Sequence, residues 1–284
     1  SGCYEFYVKS PNGFDLSINR SIGPPTIDEK VTAGVLREKS TKLYLLGGRP
    51  YPIRLNYFKF DDPNASIALS WKTPVGQKEI IPSEYLFTQV VPPSFVTQHK
   101  LPPDDASHGY DRGIQVDSTW DESITYAAIE AAKFAGIRMF RLARTSEKDE
   151  NKREKIIAFA QEFVRYAFRE KLSEDEVDHY INSKFGEDVP LHVSIEKIVL
   201  LTLKSPRFLY PEWQSFAKKK KDPFAVASRM ALYFWDSIPD KRIHSLIDRD
   251  QLIKEWQVED QAKVMLKDAR TKAKFNDFMM HWLD

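Results

Sequence analysis

Arg153-Glu154-Lys155-Ile156-Ile157-Ala158-Phe159-Ala160-Gln161-Glu162-Phe163-Val164-Arg165-Tyr166-Ala167-Phe168-Arg169 is the stretch on which the architecture turns. Ile156, Phe159, Ala160, Phe163, Val164, Ala167 and Phe168 recur at three- and four-residue intervals, so they line one face of a helix and predict that face against a core. Such a stripe is packing surface rather than a cofactor box. The same grammar continues downstream. Ser173-Glu174-Asp175-Glu176 has the capping-box spacing, in which the serine hydroxyl takes an orphan amide and Glu176 reaches back, so a helix starts at Glu174. Asp222-Pro223 sets an N-cap acceptor before a proline at the first helical position, where its missing amide hydrogen costs nothing. That helix carries Phe224, Ala227, Leu232 and Trp235 and ends before Pro239.

Asp240 and Asp250 are further N-cap candidates, and Val258, Met265 and Leu266, then Phe275, Phe278 and Trp282, supply the last apolar stripes. Upstream, Ala127, Ala128, Ile129, Ala131 and Ala132 form a small-residue face on a helix opening near Ser123. Residues 123–284 therefore read as an all-α bundle of roughly six to eight helices. Toward the N-terminus the period changes to two. Tyr4, Phe6 and Val8 share one face of a strand, and further strands are expected at Phe14 to Asn19, Thr41 to Leu46, Tyr51 to Phe60 and Ser66 to Trp71. Ser10-Pro11-Asn12-Gly13 is a turn signal whose Asn-Gly pair predicts left-handed geometry and a hairpin between the strands it joins. Residues 1–88 thus read as an antiparallel β-sandwich, and residues 89–122, with Pro92-Pro93 and Pro102-Pro103, as a proline-rich linker. The fold class is α+β multidomain, with no internal repeat to indicate a solenoid.

Composition limits the chemistry. Forty-two basic against 41 acidic residues leave no global field for nucleic acid or an acidic membrane, and no run approaches the roughly 18 apolar residues of a spanning helix. One cysteine, Cys3, excludes an internal disulfide, a thiolate zinc site and covalent haem attachment within these residues, and reads as an ordinary strand residue.

Two resemblances add to this reading. Gly2-x-Tyr4-x-Phe6, Ser10-x-x-Gly13, Leu45-x-Gly47-Gly48-x-x-Tyr51-x-Ile53, Leu69-x-Trp71 and Ile81-Pro82-x-x-x-Leu86 follow one another as in the lectin-like β-sandwich named after anthrax protective antigen. The segment resembles the second part of that domain, which implies that its first strands precede the chain's opening. Leu101 to Gly113, Ala167-Phe168-Arg169-x-x-Leu172-Ser173-x-x-Glu176, Ser205-Pro206-Arg207-Phe208-Leu209-Tyr210 and Tyr233-Phe234-Trp235-x-Ser237-x-Pro239-Asp240 resemble the helical domains of unknown function 1595 and 1592 in planctomycete-type multidomain cytochromes. That likeness implies an exported, periplasmic or cell-surface bacterial protein, in which these helices accompany c-type haem segments and further domains outside these residues.

The sandwich likeness implies glycan held through a loop cation and carboxylates. Asn12, Asp15, Asp61, Asp62 and Asn64 are the corresponding carbohydrate-binding candidates, with Asp61 and Asp62 as calcium ligands, since the Asp61-Asp62-Pro63-Asn64 turn concentrates oxygen-bearing side chains. The acidic pair usual before the hairpin glycine is here Pro11-Asn12. Other constellations favour structure over chemistry. The histidines at 99, 108, 179, 192, 244 and 281 show no pair at helical spacing; His281 before Trp282 is an axial haem ligand only in an assembled protein. Ser194-x-x-Lys197 matches a serine-lysine spacing without the companions of that hydrolase class. Lys218-Lys219-Lys220-Lys221 reads as a solvated loop, and Trp71 and Trp235 as core aromatics.

Three readings stand open. One is a non-catalytic binding and scaffold section, with a glycan and cytochrome subunits or further domains as partners. The second is part of a haem-dependent oxidoreductase whose redox centre lies outside these residues. The third is a surface-layer or assembly component.

Overall fold

The computed structural model describes residues 1–283 apart from 21–22, 32–33, 62, 90, 100, 103–106, 108–116 and 211–221. It divides into two units, Ser1–Val96 and Thr97–Asp284.

The first unit is built of β1 (Gly2–Ser10), β2 (Gly13–Ile18), β3 (Ile27–Glu29), β4 (Arg37–Leu45), β5 (Ile53–Phe58), β6 (Ala68–Lys72) and β7 (Lys78–Ile80). They form a four-stranded sheet ordered β4-β1-β6-β7 and a three-stranded sheet ordered β3-β2-β5, all pairs antiparallel. Phe6 and Val8 from β1 meet Phe14, Leu16 and Ile18 from β2 in the core between the sheets. Full burial of a side chain such as Phe14 is worth roughly 1.5–3 kcal/mol.

The expected β1–β2 hairpin is corrected here. β1 pairs with β4 and β6, β2 with β3 and β5, so residues 11–12 carry the chain from one sheet to the other. Neither Asn12 nor Gly13 has a positive φ. Gly13 is required by close approach instead, since a Cβ there would lie 2.3 Å from the Lys30 carbonyl oxygen. A two-residue alternation can report which face is buried but not which sheet receives it. β3 and β7, three residues each, are too short to show a period, and β4 begins at Arg37, ahead of the expected Thr41.

The second unit contains α1 (Ser118–Ile137), α2 (Met139–Leu142), α3 (Lys152–Phe168), α4 (Glu174–Tyr180), α5 (Leu191–Lys204), α6 (Pro206–Leu209), α7 (Pro223–Trp235), α8 (Lys241–Asp248), α9 (Glu255–Leu266) and α10 (Ala269–Leu283). Ten α-helices among the described residues exceed the expected number because α2 and α6 are single turns of four residues. α1 opens at Ser118 rather than Ser123, since Asp117 caps it by accepting from the Trp120 amide at 2.8 Å.

Two cores organise these helices. The stripe of α3 packs Ile156, Ala160, Val164 and Phe168 against Ile195, Ile198 and Val199 of α5. Ala128, Ala132 and Ala135 are buried on α1, which runs closely along α5. The second core joins Phe224, Ala227, Ala231 and Trp235 of α7 with Ile243 and Ile247 of α8, Leu252, and Met265 of α9. Two expectations fail at its edge. Asp250 caps no helix: it occupies the left-handed region at φ 55°, while Gln257 Oε1 accepts from the Ile253 and Lys254 amides at the start of α9. Phe275, Phe278 and Trp282 form an exposed stripe on α10, with Phe278 and Trp282 stacked at 6.5 Å, rather than filling the core. A helical period identifies a face without saying that it is covered.

Candidate functional site

In the β unit the connection after β1 is held by a chain of polar contacts. The Asn12 amide donates to Ser10 Oγ at 3.0 Å, the Ser10 hydroxyl donates to the Ser66 carbonyl at 2.8 Å, and Tyr57 Oη donates to Asn12 Oδ1 at 2.6 Å. Asn12 is 0% exposed and therefore lies beneath the surface, bracing the strand ends. Asp15, 5% exposed, faces away from the core with Asn56 beside it, whose Nδ2 donates to Asp15 Oδ1 at 2.8 Å. Asp61 and Asn64 are exposed in the loop after β5, where Phe60 turns the chain at φ 51°; Asp62 lies outside the described residues.

The candidate residues thus separate into buried supports, Asn12 and Asp15, and exposed loop groups, Asp61 and Asn64. Among the described residues no three His, Cys, Asp or Glu side chains converge as a metal site. Trp71 belongs to the sandwich, packed on Tyr4 and Tyr85 with its indole nitrogen donating to Glu79 at 3.1 Å. Cys3 is an exposed free thiol on β1.

In the helical unit, separated sequence blocks converge as two partly buried polar knots. Arg169 ends α3 in the left-handed region at φ 57°, and its guanidinium donates to the Arg207 and Phe208 carbonyls at 2.7 and 3.1 Å. Arg207 returns the contact from α6, pairing with Glu170 and Glu176 and lying 4.5 Å over the Phe168 ring. Glu176 and Ser173 close the expected capping box, at 2.8 Å to the Ser173 amide and 3.3 Å from the Glu176 amide to Ser173 Oγ. In the second knot, Arg270 lies 3.5 Å over Trp235 and pairs with Asp240 and Asp268 at 2.9 and 2.7 Å. Asp240 meanwhile caps α8 through the Ile243 amide at 3.0 Å.

Sequence reading finds these caps but misses the three arginines as organising groups. The available signal is a cation at the edge of an apolar run, as at Phe168-Arg169 and Pro206-Arg207-Phe208. Ser194 offers no nucleophile: it is buried and its hydroxyl donates to the Lys184 carbonyl at 2.8 Å, while Lys197 is exposed. Lys218 to Lys221, His108 and the side chain of His281 lie outside the described residues.

His244 joins the two cores. It is 0% exposed, stacks on Tyr166 with ring centroids 3.8 Å apart, and neither ring nitrogen has a hydrogen-bond partner among the described residues. Burial first, then the Arg165 cation, hold its pKa down at about 4, against opposing pulls from Asp248, Asp240 and Glu162. Burial and the bond to Glu162 push the Tyr166 phenol up to about 12. The unfolded histidine titrates near ~6.5, so between that pH and about 4 the unfolded chain binds the extra proton and stability falls as pH falls. Thermal unfolding across that window is expected to show a steeper decline in Tm for the native chain than for His244→Phe. Parallel profiles would remove His244 as the cause.

Comparison with known families matches two parts of the chain. Residues 1–85 match the PA14 domain. Residues 222–284, which include the second helical core, match PSD4, a protein family of unknown function (DUF1592). Over 84 residues the chain is 33% identical to the anti-sigma-I factor RsgI3 of Acetivibrio thermocellus, covering 30% of this chain and 12% of that protein. A solved structure of an anti-sigma factor domain-containing protein is 32% identical, with 31% of this chain and 29% of that chain covered and a TM-score of 0.29. The chain therefore spans a small part of the curated relative's length. The PA14 match thus falls on the β unit and the DUF1592 match on the helical unit, and no described helix is long and apolar enough to cross a membrane.

Proposed function

We propose that this chain is a binding and scaffold section of an exported multidomain bacterial protein, with the PA14 unit engaging glycan and the helical unit packing against c-type cytochrome parts of the same polypeptide or of partner subunits. The observation that carries the glycan reading is the exposed Asp61 and Asn64 loop on the unit that matches PA14, between strand ends held by hydrogen bonds. These are the Asn12–Tyr57 and Ser10–Ser66 bonds. In this reading Asp61, with Asp62, offers carboxylate oxygens to calcium, a hard cation that also accepts sugar hydroxyls, and Asn64 donates or accepts beside it. Asn12 and Asp15, bonded to Tyr57 and Asn56 of β5, act as positioning residues through the strand that leads into the loop. Periplasmic or cell-surface placement and haem in neighbouring segments belong to the same proposal.

The arginine knots favour a scaffold role for the helices, because their ionic groups are committed to one another. A glycan array probed with and without calcium tests the PA14 part. Calcium-dependent binding is expected, and Asp61→Ala, an exposed substitution, should weaken it about tenfold, equivalent to roughly 1.4 kcal/mol. Absence of binding under both conditions would leave the sandwich as a spacer. A covalent-haem stain of the natural full-length protein tests the cytochrome part independently.

A further inference from the structure

We infer that the groove between α3 and α8 in the helical unit is a docking site for an acidic peptide segment carrying aliphatic side chains. The groove has a volume of about 800 Å³ and is lined from α3, α8, the end of α2 with the turn after it, the turn after α3, and Val177 of α4. Its apolar lining comprises Leu142, Phe159, Leu172 and Val177, with Ala143 and Ala158 between them. Arg144, Lys155, Arg165, Lys171 and Lys241 stand among these residues against two carboxylates, Glu162 and Asp248. A local cationic surplus in a chain whose formal net charge is only +1 defines the complementary ligand as an anion.

Three of those cations are already engaged. Arg165 pairs with Asp248, Lys241 with Glu162 at 3.0 Å, and Lys155 with Asp149 at 2.6 Å. Arg144 and Lys171 are exposed and form no ion pair among the described residues. Arg144 is set in its turn by a left-handed backbone at φ 52°. Inorganic phosphate would use these charges but gain nothing from the leucines and valine, and a sugar acid would desolvate hydroxyls against them. Aliphatic side chains instead bury apolar area there while neighbouring carboxylates meet Arg144 and Lys171. This site is independent of glycan binding by the PA14 unit.

Fluorescence anisotropy of the full chain with a short labelled peptide of alternating glutamate and leucine tests the inference. Saturable binding that weakens with added salt is expected, together with a roughly tenfold loss in Arg144→Glu/Lys171→Glu, two exposed reversals that leave the Arg165–Asp248, Lys241–Glu162 and Lys155–Asp149 pairs intact. Circular dichroism confirms that the variant is folded, and Lys171→Gln provides a milder change with a smaller loss in the same direction. The inference is overturned if the peptide does not saturate, if the reversals leave its affinity unchanged, or if a glutamate–serine peptide, inorganic phosphate or polyuronate binds as tightly as the glutamate–leucine peptide.

Discussion

Replacing Arg207 with alanine is expected to destabilise the helical unit by about 1.5–3 kcal/mol, the range for losing charge-assisted hydrogen bonds in a partly buried setting. Arg207 and Glu170 are 19% and 14% exposed at their side chains, so the carboxylate left behind has little water to turn to. The substitution also frees Glu176, uncovers the Phe168 ring and loosens the short α6 turn, whose carbonyls Arg169 holds. Arg207→Lys should retain part of the stability: the ammonium keeps the charge but cannot present a planar fork to two carboxylates. Urea unfolding followed by far-ultraviolet circular dichroism reads the helical transition, which must be fitted separately from that of the β unit. A loss below about 1 kcal/mol for Arg207→Ala would place the pair in the weak class of solvent-screened surface bridges.

This knot also explains what was legible in the sequence. The stripe on α3, the Ser173–Glu176 capping box and the Asp222-Pro223 start are local patterns, set by contacts within one or two helical turns, and each is present in the structure. Long-range choices were not legible. Alternation in β1 and β2 marks the buried faces, yet their assignment to different sheets depends on β4 and β5, which lie tens of residues away. Arg169, Arg207 and Arg270 read as surface cations until the partners Glu170, Glu176, Asp240 and Asp268 are brought around them.

The glycan candidates show the same limit. An oxygen-rich turn can be counted in the sequence, but depth cannot: Asn12 and Asp15 lie below the surface, while Asp61 and Asn64 are exposed. Arg169, Arg207 and Trp235 hold helices together, which is why the blocks around them point to architecture more directly than to a reaction.

Trp235→Ala is the corresponding test of the second core, with an expected loss of about 3–5 kcal/mol, the range for emptying the space of a buried large aromatic. Trp235 is 5% exposed at the end of α7, before Asp236 turns the chain at φ 47°. Its removal leaves a void beside Ala231 and Met265 and strips the ring from beneath Arg270. Arg270 remains tied to Asp240 and Asp268, so the cation–π contact can be separated from the cavity by a double-mutant cycle of Trp235→Leu and Arg270→Gln. A coupling of about 0.5–2 kcal/mol is expected for a partly desolvated cation over an indole face. The exposed neighbour Tyr233, changed to alanine, should cost less than about 0.5 kcal/mol and serves as the internal control on the same helix. Equal losses at Trp235 and Tyr233 would show that this block contributes helix propensity alone; a large loss confined to Trp235, with measurable coupling to Arg270, would make the aromatic–arginine contact the tie between the end of α7 and the start of α10.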